Sequence, residues 1–118
     1  MTPEQVELAR KAMALPGWVF ATPESHKMEP RRSQRGLLWV RSSHPRGPWV
    51  PDLTDYSGAT DGVLLKLLGP GWETWSGTSG AVVTQSPSWK DLHYVGATLA
   101  EACCKAALAI GRWPGGLP

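Results

Sequence analysis

Residues Val63 to Leu68 place five large aliphatic side chains in six positions, V-L-L-K-L-L. That density cannot be confined to one stripe of a 3.6-residue helix, so most of the helix circumference has to be covered by protein. Burying these side chains contributes roughly 1.5–3 kcal/mol each before chain entropy is charged against it, which marks the segment as the centre of a core. The flanks support a helix over 57–69. Trp49-Val50-Pro51 reads as a strand end, Asp52, Asp55 and Asp61 bracket a Ser-Gly pair, and Gly69-Pro70-Gly71 closes the element. Asp55 or Ser57 is the expected N-cap, since a side-chain oxygen there accepts from orphan N–H groups of the first turn.

Around this centre, 118 residues are enough for one domain with one modest core. No apolar run approaches the ~20 residues that cross a bilayer, and the N-terminus lacks a basic start followed by an apolar block. The expectation is a cytoplasmic protein with no membrane association. Cys103 and Cys104 are adjacent, so they point in different directions along a helix and are expected to pack as small reduced side chains.

Two further helices carry terminal signals. Thr2-Pro3-Glu4-Gln5 combines a capping Thr, Pro at the first helical position and Gln at the capping-box position, which predicts a helix within 1–16. Thr98-Leu99-Ala100-Glu101 is a second capping box, with Gly111 at the far end, and predicts a helix over 98–111 with Leu99, Cys103, Ala106 and Ile110 on one face. Residues 112–118 are expected to be a loosely held tail, with Trp113 its one candidate anchor.

Between the helices lie short strand signals. Gly36 to Ser42 is expected to pair with Trp49-Val50, and Trp72–Ser76 with Ala81–Gln85 across the Gly-Thr-Ser-Gly turn; Leu92 to Val95 supplies a third strand beside them. Trp18 to Ala21 reads as a short strand or an aromatic plug, and 22–35 as a basic loop. Helices interleaved with hairpins predict an α+β domain, with one small antiparallel sheet, an N-terminal helix, a buried central helix and a C-terminal helix.

Charge is sorted along the chain. From His26 to Arg46, six cations (Lys27, Arg31, Arg32, Arg35, Arg41 and Arg46) face one acid, Glu29, so this segment is +5 while the remainder sums to −3. Arginine forks suit phosphate, and Trp39 and Trp49 within the same stretch are expected to offer flat faces for stacking. The candidate ligand-binding set is therefore Arg31, Arg32, Arg35, Trp39, Arg41, Arg46 and Trp49.

Other constellations are weaker. The aspartates suit helix capping better than metal ligation, and His26, His44 and His93 are isolated. Gly77-Thr78-Ser79-Gly80 matches neither a nucleophile elbow nor a phosphate loop. The expectation is a protein that is not an enzyme, with no catalytic set, metal or cofactor.

The order of A-R-K-A and G-W (Ala9 to Trp18), L-W-V-R (Leu38 to Arg41), W-V-P-D-L-T-D (Trp49 to Asp55), A-T-D-G-V-L-L-K-L-L (Ala59 to Leu68) and T-L-A-E-A (Thr98 to Ala102) resembles a group of small uncharacterised bacteriophage and prophage proteins. Relatives of that group have Asp-Pro where this chain has Asp55-Tyr56, and two fewer residues before the helix. The resemblance implies a phage gene acting in a host cell and carries no activity with it. Together with the basic segment it implies a non-catalytic binding protein, a homo-oligomer, that sequesters a phosphate-bearing nucleotide-type defence signal of the host. Two alternatives are a nucleic-acid-binding accessory factor of phage replication or recombination, and an inhibitor that docks on a host protein through exposed tryptophan.

Overall fold

The computed structural model describes residues 1–23, 31–32, 36–41, 47–55, 59–85 and 93–117. The chain is α+β, and among the described residues three α-helices and six strands follow in the order α1, β1, β2, β3, α2, β4, β5, β6, α3. Helix α1 spans Pro3–Met13, opened by the expected capping box: Gln5 N–H donates to Thr2 Oγ1 at 3.1 Å and Thr2 N–H to Gln5 Oε1 at 2.8 Å. Ala9 and Ala12 are its buried contacts, small enough to let α1 lie close against α3.

Among the described residues, two three-stranded antiparallel sheets stand where a single small sheet was expected. Sheet A is β1 (Arg31–Arg32), β2 (Leu38–Arg41) and β3 (Trp49–Pro51), in that order. The expected pairing of the Leu38 strand with Trp49-Val50 is present, with Val40 opposite Val50 and Arg41 opposite Trp49. Strand β1 falls inside the stretch read as a loop. Its two residues carry no period that a sequence can show, and only pairing with Leu38 and Trp39 makes them a strand.

Sheet B is β4 (Trp72–Gly77), β5 (Gly80–Gln85) and β6 (His93–Gly96). A two-residue turn, Thr78-Ser79, joins β4 to β5, with Gly80 at φ +137°, a backbone conformation that favours glycine. Of the expected third strand, Leu92 lies outside the described residues.

Helix α2 covers Ala59–Leu68. Leu64, Leu67 and Leu68 are buried, Val63 and Leu65 pack partly against the same core, and Gly62 and Lys66 keep one stripe in solvent. Helix α3, Leu99–Ile110, is enclosed still more completely: Ala100, Ala102, Cys103, Cys104, Ala106 and Ala107 are all buried, whereas Leu99 and Ile110 are only half-buried. The expected one-sided face is thus corrected to burial around most of the circumference. The reason is position, since α3 touches α1, α2 and sheet B, and only small side chains allow so many close neighbours. At Gly96 a Cβ would stand 2.7 Å from Ala102 N, so β6 and α3 meet at backbone distance.

The C-terminal segment belongs to the core. Trp113 has no exposed surface; its indole N–H donates to Ala12 O at 2.8 Å and its backbone N–H to Pro16 O at 2.8 Å. A single 3-10 turn, Pro114–Gly116, follows it and packs on α2. Trp18 is the aromatic plug of the two readings, with no strand formed: its ring lies edge-on to Phe20 and Trp39 and tilted on Trp113 at 5.8 Å.

Candidate functional site

Strand alternation and register decide what the basic segment presents. Along β2, Trp39 and Arg41 share one side of sheet A, and β3 brings Trp49 directly opposite Arg41. The Arg41 guanidinium lies over the Trp49 ring, 5.1 Å from its centroid, and Nη1 donates to Gly47 O at 3.2 Å. Trp39 is 1% exposed and Trp49 6%. Neither indole is a free stacking face, which corrects the expected role of Trp39 and Trp49. A ring that removes 150–250 Å² from water gains more in the core than at a wet edge, and Trp49 is already occupied by an arginine of the same sheet.

Arg31 sits opposite Trp39 and Arg32 opposite Leu38, so both belong to the edge strand of sheet A. By register Arg31 is one diagonal step from Arg41. Arg35 and Arg46 lie outside the described residues, as do Lys27, His26 and His44. Of the seven residues expected at the site, the structure therefore assembles five on β1, β2 and β3.

The aspartates have structural work. Asp52 Oδ1 accepts from Thr54 N–H at 2.9 Å and from Thr54 Oγ1 at 2.6 Å, closing a turn. Asp55 Oδ2 accepts from Thr60 Oγ1 at 2.7 Å and from the Thr60 N–H in the first turn of α2 at 3.4 Å, and Thr60 Oγ1 in turn accepts from Leu38 N–H of β2 at 3.1 Å. Ser57, the other candidate cap, lies outside the described residues. Asp61 reaches across to α3, where its Oδ1 accepts from Ala100 N–H at 2.8 Å. Thr98 donates from Oγ1 to Leu53 O. These bonds tie the N-termini of α2 and α3 to each other and to sheet A. Burial raises the Asp61 carboxyl above its usual range; the Ala100 N–H opposes that shift and the Asp55 charge adds to it. Among the described residues no group of three or more His, Cys, Asp or Glu is arranged to hold a metal ion.

The two thiols are fully buried. Burial, with Asp61 nearby, pushes Cys103 up to about 12, and burial raises Cys104 well above the ordinary thiol value, so both are protonated packing groups. An open concavity of about 550 Å³ lies at the C-terminal end of α2, lined by Lys66, Gly69, Trp72 and Gly115 among others. Sequence reasoning missed the surface of sheet B. Strand β4 is exposed along nearly its whole length, and Trp75 and Val95 are 58% and 54% exposed. The strand itself was legible in the sequence, but not that the protein leaves it open.

Comparison of the chain with known protein families, with curated proteins and with solved structures finds no match. Among the described residues, no helix is long and apolar enough to cross a membrane.

Proposed function

We propose that the chain is a non-catalytic binding protein that takes a phosphate-bearing small molecule through its arginine segment, sequestering a nucleotide-type signal of a bacterial host. The observation that carries the reading is the placement of Arg31 and Arg32 on an edge strand, with Arg31 opposite Trp39 and so one diagonal step from Arg41. The +5 charge of the segment and its preference for Arg over Lys support an anion as ligand. The phage-like sequence pattern supplies the setting.

Isothermal titration of the full chain against a panel of mono-, di- and cyclic oligonucleotides tests it. Binding tighter than tens of micromolar (about −6 kcal/mol) is expected, weakened at least tenfold in an Arg31→Ala/Arg32→Ala double variant. Absence of such binding across the panel refutes the reading.

A second reading is favoured by the withdrawal of Trp39 and Trp49 into the core. Without aromatic faces from this segment, recognition rests on phosphates alone, as in backbone-directed nucleic-acid binding. Gel shifts with single- and double-stranded DNA separate the two, because a one-ligand site leaves DNA unshifted whereas backbone tracking shifts it with a steep salt dependence.

A further inference from the structure

Strand β4 stands at the margin of sheet B, and among the described residues no strand pairs with its other side. Thr78-Ser79 is a two-residue turn flanked by the Gly77–Gly80 pair, and in such a hairpin the flanking pair exchanges both ladder bonds. The bonds then alternate: Trp75 and Glu73 are bonded to β5, while Trp72, Thr74 and Ser76 direct their N–H and C=O groups outward. Edges of this kind are usually blunted by several charges, a proline or a bulge. From Trp72 to Gln85 the chain has one charge, Glu73, and no proline.

Beside this edge, register aligns Trp75, Val82 and Val95 in one row on the sheet face opposite Ala81, Val83 and Gly96, which are buried. The open parts of Trp75 and Val95 together amount to on the order of 200 Å² per copy, far below the roughly 800 Å² per partner of a standard interface. Apolar stacking alone is therefore too small to hold a partner, and the backbone edge has to supply the bonding. What such an edge accepts is an extended strand.

We infer that the occupant is β4 of a second copy, paired antiparallel about a two-fold axis at Thr74 to make one continuous six-stranded sheet. In that register Thr74 faces its own copy, Trp72 faces Ser76 and Glu73 faces Trp75. All outward groups of Trp72, Thr74 and Ser76 are then matched, which allows six backbone hydrogen bonds, and no like charges meet. An axis at Trp75 leaves only the Thr74–Ser76 pairs with four, and an axis at Glu73 sets two carboxylates opposite each other, which is destabilising. Every copy carries the same low-charge strand, so self-pairing meets no net repulsion along the edge. The area is that of a weak dimer, dissociating on the order of tens of micromolar.

Sedimentation equilibrium of the full chain from roughly 5 to 500 μM tests this, with circular dichroism confirming that each variant is folded. Wild type is expected to shift from monomer to dimer across the range. Thr74→Lys and Thr74→Glu, at an exposed position, each set like charges across the axis and are expected to stay monomeric; an equimolar mixture of the two is expected to dimerise again. Wild type that remains monomeric at 500 μM overturns the inference and leaves the edge for a different protein's strand. A Thr74→Lys protein that still dimerises, or a mixture that fails to, overturns it equally.

Discussion

Replacing Trp113 with alanine measures directly whether the last residues belong to the core. The indole is fully buried, touches Trp18 at 5.8 Å between ring centroids, and donates to Ala12 O at 2.8 Å. Truncating a buried Trp costs about 3–5 kcal/mol in lost transfer free energy and cavity formation. A domain of this size holds roughly 5–15 kcal/mol in all, so this one side chain supports a large share. At about 4 °C per kcal/mol the midpoint is expected to fall by ~12–20 °C in a thermal melt followed by circular dichroism, which does not depend on the other six tryptophans. Trp113→Phe keeps most of the ring and removes the N–H donor; Ala12 O still accepts from Leu15 N–H, so the expected cost is smaller, about 1–2 kcal/mol. Arg112→Ala, at an exposed neighbour, is the control and is expected to stay within about 0.5 kcal/mol. A Trp113→Ala protein that melts within 2 °C of wild type refutes the reasoning, because the segment would then contribute nothing to the cooperative unit.

Two further outcomes follow from buried groups. Asp61 has a carboxyl raised from its ordinary 3.8, chiefly by burial, so the folded chain holds that proton more tightly than the unfolded one, and the stability tied to it is lost as pH climbs from about 4 through the folded value. Asp61→Asn keeps an oxygen for the Ala100 N–H and removes the charge; in urea melts it is expected to match or exceed wild type at pH 7, with the gap closing near pH 4. Asp61→Ala loses the cap and is expected to cost about 1 kcal/mol. An Asn variant well below wild type at pH 7 counts against this account. For Cys103 and Cys104, enclosed and protonated, a thiol reagent at pH 8 is expected to label neither in native protein and both in denaturant; fast native labelling contradicts the packing of α3.

Signals confined to a few consecutive residues were readable without coordinates. Thr2 to Gln5, Thr98 to Glu101 with Gly111, and Gly77 to Gly80 mark helix ends and a hairpin because the partners of each hydrogen bond lie within four residues of one another. The density of aliphatic side chains in α2 likewise indicates burial, since five in six positions cannot share one stripe of a helix.

What the chain alone determined, then, is its inventory: three capped or closed helices, several short strands and an α+β class. Which elements touch was settled only in three dimensions. The sequence does not distinguish Trp39 as a stacking face from Trp39 as core, because alternation names two faces of β2 and says nothing of what covers either. Nor does it show that Asp61 of α2 caps α3, that Trp113 fills the space beside Ala12, or that one sheet is two. Each of those contacts joins residues tens of positions apart, and its free energy depends on distances that no local pattern encodes. The same limit applies to Arg31 and Arg32, whose charge is evident from composition and whose placement on the margin of sheet A is a product of pairing between strands.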